Sequence, residues 1–177
     1  EELLVELEQQ GIRILKREVW SKAQRKWTKD LFRHEVQPVL TPMGLDPAHP
    51  FPRVLNKSLN FIVSVEGTDA FGREAGMAVV QVPRSLPRVF QFPPELADSE
   101  GRQDFVLLSS IVHAHMGGLF PGMKVVATSQ FRITRNSDLW VDEEEVDNLL
   151  LALKGELPGR RFGEAVRLEV ADTCTED

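Results

Sequence analysis

His113 and His115 stand two residues apart, with His34 and His49 elsewhere in the chain. On a strand, residues i and i+2 share a face and could chelate a cation together. On a helix of 3.6 residues per turn they point about 200° apart. The surrounding sequence predicts a helix, so both are expected in structural roles. No cysteine or carboxylate stands at metal-ligand spacing from His34 or His49. Asp142-Glu143-Glu144-Glu145 could be read as a Mg²⁺ or Ca²⁺ site. It lacks a glycine-containing ligand loop, and carboxylates at a helix start are favourable without any cation. There is no GxSxG, GxxxxGK[ST], HExxH or GxGxxG pattern. Gly117-Gly118 is a short pair that fits a loosened helix end better than a phosphate cradle. Cys174, the single cysteine, sits in a polar tail. Neither a catalytic residue nor a metal site is therefore expected.

The arginines offer more. The chain holds 14 arginines against 7 lysines. Arg132 and Arg135 flank the end of an expected strand, and Arg160, Arg161 and Arg167 cluster later. The planar guanidinium fork suits phosphate and carboxylate alike. Arg132, Arg135, Arg160 and Arg161 are thus candidate ligands for a polyanion. The competing reading is salt bridging to some of the 27 acidic side chains.

Composition frames this choice. With 177 residues, 42% apolar and 27% charged, the chain can bury a core and is expected to be one globular domain, 1–177. The net charge of −6 argues against a general nucleic-acid or membrane-surface binder, but allows a local basic patch. One cysteine permits no internal disulfide and fits a reducing cytoplasm. No apolar run approaches the roughly 20 residues needed to span a bilayer. The start at Glu1, without Met or a signal-like region, suggests an excerpt of a longer protein.

Local patterns predict the elements that must position these side chains. Leu3, Leu4 and Leu7 mark a helix over 1–10, with Gly11 as its C′ residue. Ser21 is a candidate N-cap for a second helix, with Trp27, Leu31 and Phe32 on one face and Pro38 as its stop. Residues 1–37 therefore read as a helical hairpin. Five prolines from Pro38 to Pro52 predict a rigid, extended, packed connection, neither helix nor central strand. Leu59, Phe61, Val63 and Val65 alternate with Ser58, Asn60, Ile62 and Ser64, the period of two that a strand requires. Further strands are expected over 75–82, 88–92, 105–108, 124–134 and 165–170. Ser109 or Ser110 would cap a helix reaching Leu119. Val146, Leu149, Leu150 and Leu153 give a last helix, opened by an Asp142/Glu145 capping box. Helices first, clustered strands next and two helices inserted later predict an α+β fold with a mixed, largely antiparallel sheet.

Several runs in order are similar to one family. They begin with Phe32-Arg33-His34-Glu35-Val36-Gln37-Pro38-Val39-Leu40-Thr41-Pro42, then Asp46-Pro47-Ala48-His49-Pro50-Phe51-Pro52 and Asn56-Lys57-Ser58-Leu59-Asn60. Val82-Pro83, Leu86-Pro87-Arg88 and Leu119-Phe120-Pro121-Gly122 follow. Phe131 to Leu139, Arg160 to Gly163 and Val166 to Val170 complete the series. Together they resemble the head, or middle, domain of bacterial polyphosphate kinase over about residues 3 to 170. Trp140 and Ile133 are small departures from the family pattern.

The resemblance implies a parent enzyme that reversibly transfers the terminal phosphate of ATP to polyphosphate, with Mg²⁺ and a phosphohistidine intermediate. It implies an N-terminal domain, this head domain, and two C-terminal domains similar to those of phospholipase D. The phosphorylated histidine belongs to those C-terminal domains, and none of His34, His49, His113 or His115 matches its motif. The head domain is then a structural and dimerisation part, silent alone and ending beyond Asp177. The implied partners are the other domains of the same chain, a second copy of it, and polyphosphate, with no nucleic acid and no integral membrane segment. The implied location is the cytoplasm, compatible with a peripheral place at the membrane. The alternatives are a polyanion-binding module using the arginines above, and an unrelated small enzyme, for which no catalytic constellation is visible.

Overall fold

A computed structural model describes residues 2–46, 48, 50–68, 76–97, 101–136, 164–172 and 174. The last helix expected near residues 142–157, together with His49, Arg160 and Arg161, lies outside them. The chain divides into two compact units, one of residues 1–40 and 83–124, the other of 41–82 and 125–177. The topology is α+β, as expected, with two sheets.

The first unit opens with α1 (Glu2–Gln9). Gly11 adopts φ +78°, and its N–H returns to the Glu8 carbonyl at 3.0 Å. This is the left-handed helix stop the sequence suggests, at a residue with no Cβ to oppose it. The expected hairpin then differs in one respect. The link to α2 is not a short loop, because β1 (Ile12–Ile14) pairs parallel with β6 (Gln103–Leu107). Three residues are too few for a periodic strand signal, and a parallel partner 91 positions away leaves no local trace. β5 (Val89–Gln91) completes a mixed sheet in the order β1-β6-β5.

α2 (Lys22–Leu31) begins with the Ser21 cap that the sequence predicts. Ser21 Oγ accepts from the Gln24 N–H at 3.2 Å, and Gln24 Oε1 accepts from the Ser21 N–H at 2.9 Å. A π-turn (Phe32–Val36) and a 3₁₀ turn (Gln37–Val39) carry the chain through Pro38. The buried stripe is Gln24, Thr28, Phe32 and Val36, spaced by four, rather than the Trp27, Leu31 and Phe32 face. Polar residues sit on it because each finds a partner. Gln24 Nε2 donates to the Leu96 carbonyl at 2.9 Å. Phe92, buried, lies 5.0 Å from Trp27 and 6.5 Å from Trp20 between ring centroids.

α3 (Leu108–Ala114) starts after Leu107, so neither Ser109 nor Ser110 caps it. Leu107 is the last residue of β6, and the chain passes directly from strand to helix with Leu108, Ile111 and Val112 fully buried. Burial of that apolar face sets the start, overriding the preference for a serine cap.

The second unit is a five-stranded sheet in the order β2-β4-β3-β7-β8. Its strands are β2 (Thr41–Leu45), β3 (Asn60–Glu66), β4 (Met77–Gln81), β7 (Lys124–Arg135) and β8 (Ala165–Val170). β2 carries Pro42 and Gly44 and lies at the sheet edge, the place where a strand tolerates proline. One face gathers Val54, Val79 and Phe131, with Met43, Leu45, Ile62 and Ile133 against them. β7 and β8 are antiparallel, with Arg132 opposite Glu169 and an irregularity between Thr134 and Arg135.

Candidate anion-binding site

The second unit places Arg132 and Arg135 on one strand, β7, but commits them differently. Alternation along a strand turns residues 132 and 135 to opposite faces. Arg132 Nε donates to Glu169 Oε2 at 2.7 Å, and its Nη2 donates to Oε1 at 2.9 Å. This is a bidentate fork on a carboxylate, the geometry with which arginine also holds a phosphate. Arg167 Nη2 lies 3.2 Å from Glu169 Oε1. The Arg132 hydrogen bond holds the Glu169 carboxyl below its usual range, and attraction to Arg132, Arg167 and Lys57 lowers it further. The same bond holds the Arg132 guanidinium above its ordinary value. Lys57, Arg132 and Arg167 thus bear on one carboxylate. All three cations are exposed, Arg167 on β8, Arg132 on the neighbouring β7 and Lys57 in the loop before β3.

Arg135 works in the frame. Its Nε donates to the Val54 carbonyl at 3.0 Å, and its backbone N–H donates to Asn56 Oδ1 at 2.9 Å. Lys57, at φ 54°, donates its backbone N–H to the Ile133 carbonyl at 2.8 Å. Ser58 and Asn60 are buried and satisfy each other: Asn60 Nδ2 donates to the Ser58 carbonyl at 3.0 Å, and Ser58 Oγ donates to the Leu55 carbonyl at 2.8 Å. The Asn56–Asn60 run therefore ties a tight loop to the end of β7 and presents Lys57 outward.

Arg132 and Arg135 are thus both in the second unit without converging. Arg160 and Arg161 lie outside the described residues. The sequence reading did not include Lys57 or Arg167 in the site, nor Glu169 as their common partner. β7 has 12 residues and β8 has 6, so strand length gives no hint of the Arg132–Glu169 pairing; only the register puts the two side chains opposite.

In the first unit His113 and His115 are half-buried on α3 and the turn that follows it, while His34 is exposed. His115 Nε2 is 3.1 Å from Thr28 Oγ1, whose own hydroxyl donates to the Arg25 carbonyl at 3.1 Å. A tautomer with the proton on Nε2 satisfies both contacts. The His115 ring lies 5.5 Å from the Phe32 ring. Burial lowers His115 below its ordinary value, with Lys29 adding, and lowers His113 too, with Arg17 adding and Glu18 opposing. No group of three or more His, Cys, Asp or Glu among the described residues could hold a metal ion. No helix among them is long and apolar enough to cross a membrane.

Comparison with known proteins adds a further layer. The family model of the polyphosphate kinase middle domain matches residues 23–177. The polyphosphate kinase of Neisseria meningitidis serogroup B is 59% identical over 169 residues, covering 96% of this chain and 24% of the relative. That of Pseudomonas aeruginosa is 52% identical over 177 residues, covering 100% of this chain and 25% of the relative. The chain therefore spans about a quarter of the length of these relatives. The crystal structure of polyphosphate kinase from Porphyromonas gingivalis superposes with a TM-score of 0.66 at 23% identity, over 80% of this chain and 22% of that one. At that identity the likeness speaks for the fold.

Proposed function

The chain belongs to the polyphosphate kinase middle-domain family, and from that premise we propose that it is a supporting part of an enzyme that reversibly transfers the terminal phosphate of ATP to polyphosphate. The observation that carries this is the match of the middle-domain model over residues 23–177. In the whole protein the middle domain joins the other domains of the same chain and contributes to contact with a second copy. The transferred phosphoryl group rides on a histidine outside this segment. In-line phosphoryl transfer needs positioned cations and an activated nucleophile together. Of the described histidines, His115 is half-buried with Nε2 against the Thr28 hydroxyl, and His113 is half-buried beside it on α3. Mg²⁺ and ATP belong to the longer protein's reaction. The described residues offer no cluster of carboxylate, histidine and cysteine ligands suited to the ion.

The test compares the longer protein with this chain in ATP and Mg²⁺. The longer protein should make polyphosphate and the chain alone should make none. Failure of the longer protein to do so overturns the enzyme assignment, and synthesis by the chain overturns its supporting role. Light scattering of the chain over a range of concentrations reads the subunit contact as a rise in mass.

A second reading is favoured by the cation cluster at the β8 edge. Arg132 and Arg167 contact one carboxylate and Lys57 attracts it from the adjoining loop, so three cations meet one acid on a chain whose net charge is −6. Such a patch suits polyphosphate, and this domain would then contact the polymer directly. Arg135 fixes the loop that presents Lys57.

A further inference from the structure

Glu169 already occupies the position an anionic ligand would take. Both its oxygens are engaged by Arg132 and one also by Arg167. A phosphate would use the same fork in the same bidentate way. Glu169 is tethered, so its effective concentration at the fork is that of an intramolecular partner. A lone phosphate has to displace it and gains only what it takes away. A chain of phosphates is different. One phosphate displaces the carboxylate while its neighbours reach Lys57 and Arg167, so several contacts offset one loss. β8 ends the sheet among the described residues, and Arg132 and Arg167 have side chains 53% and 68% exposed, so both guanidinium groups can be reached from solvent.

We infer that Glu169 is a built-in competitor that makes the Lys57–Arg132–Arg167 cluster select extended polyanions over single phosphates. The inference rests on the second reading above, in which this cluster meets polyphosphate.

The test titrates long-chain polyphosphate, and separately orthophosphate, into the chain and into E169Q by calorimetry at low salt. E18Q serves as the control. It removes the same charge from the exposed Arg17–Glu18 pair in the other unit and leaves the β8 cluster intact. The wild-type chain should bind polyphosphate and show no saturable binding of orthophosphate. E169Q should bind polyphosphate about two- to fivefold more tightly, the scale set by an exposed ion pair, while its orthophosphate binding stays far weaker than its polyphosphate binding. E18Q should stay close to wild type. E169A should repeat the E169Q result, and melting curves check that both variants are folded. If E169Q and E169A bind polyphosphate no better than E18Q while the wild type binds it, competition by Glu169 is wrong and the polyanion reading stands. If none of the proteins binds polyphosphate, the polyanion reading fails and the inference with it.

Discussion

Arg13 on β1 grips Asp104 on β6 through two parallel hydrogen bonds, Nε to Oδ1 at 2.8 Å and Nη2 to Oδ2 at 2.9 Å. The pair sits directly across the parallel register. The Asp104 side chain is 0% exposed and that of Arg13 is 15% exposed. A charge pair this deep has already lost its hydration, so its worth lies in being complete. Arg13→Ala should destabilise the chain by about 3–5 kcal/mol, because it strands a buried carboxylate. The double variant Arg13→Met with Asp104→Leu should recover much of that loss. Denaturant unfolding of the two variants checks this, and a double variant no better than Arg13→Ala would contradict it.

The half-buried histidines His113 and His115 make stability depend on pH with a definite sign. Folding lowers the pKa of His115 and His113 below the ordinary 6.5. As pH falls through that ordinary value, the unfolded chain takes up protons that the folded chain refuses. The unfolded state then binds more protons, so stability falls with pH and levels off only below the folded values. Thermal melting from about pH 7 down to about pH 5 should show a declining midpoint. H115Q should flatten that slope, since it removes one of the two groups. An unchanged slope would mean that His115 titrates as it does in the unfolded chain.

Two helix termini carry separable local contributions. Ser21→Ala breaks the reciprocal cap at α2 and should cost about 1 kcal/mol. Gly11→Ala forces a side chain into φ +78° and should cost about 1–2 kcal/mol. The added Cβ would meet the Gly101 carbonyl oxygen at only ordinary contact, 3.5 Å, so the cost is conformational rather than steric. Equilibrium unfolding of each variant gives the numbers, and a Gly11→Ala chain as stable as wild type would remove the left-handed stop from the account.

Gly11, Ser21 and the alternation from Phe61 to Val65 could be read from the sequence because each depends on local rules. A positive φ favours glycine, a free N–H favours a serine oxygen, and a pleated strand turns every second side chain inward. β8 was legible as a strand from the alternation of Val166, Leu168 and Val170 with polar neighbours, although these three side chains are exposed. β1 was not, since its three residues owe their strand geometry to β6. The start of α3 was not, because burial of Leu108, Ile111 and Val112 decides it and not the nearby serines. The site was legible in residue type more than in geometry. Arginine on β7 pointed to an anion, yet Glu169 as its partner, and Lys57 and Arg167 as its neighbours, emerge only once β7 and β8 are in register and the Asn56–Asn60 loop is tied to Ile133 and Arg135.

The most direct single measurement is a calorimetric titration of long-chain polyphosphate into the chain, at low salt and again at about 0.3 M salt. Screening shortens the reach of exposed charges at that ionic strength to about 6 Å. The cation cluster predicts binding at low salt that weakens strongly at high salt and is reduced in R132A. Absence of binding at low salt, or binding indifferent to salt, would contradict contact between this domain and polyphosphate and leave it a structural part alone.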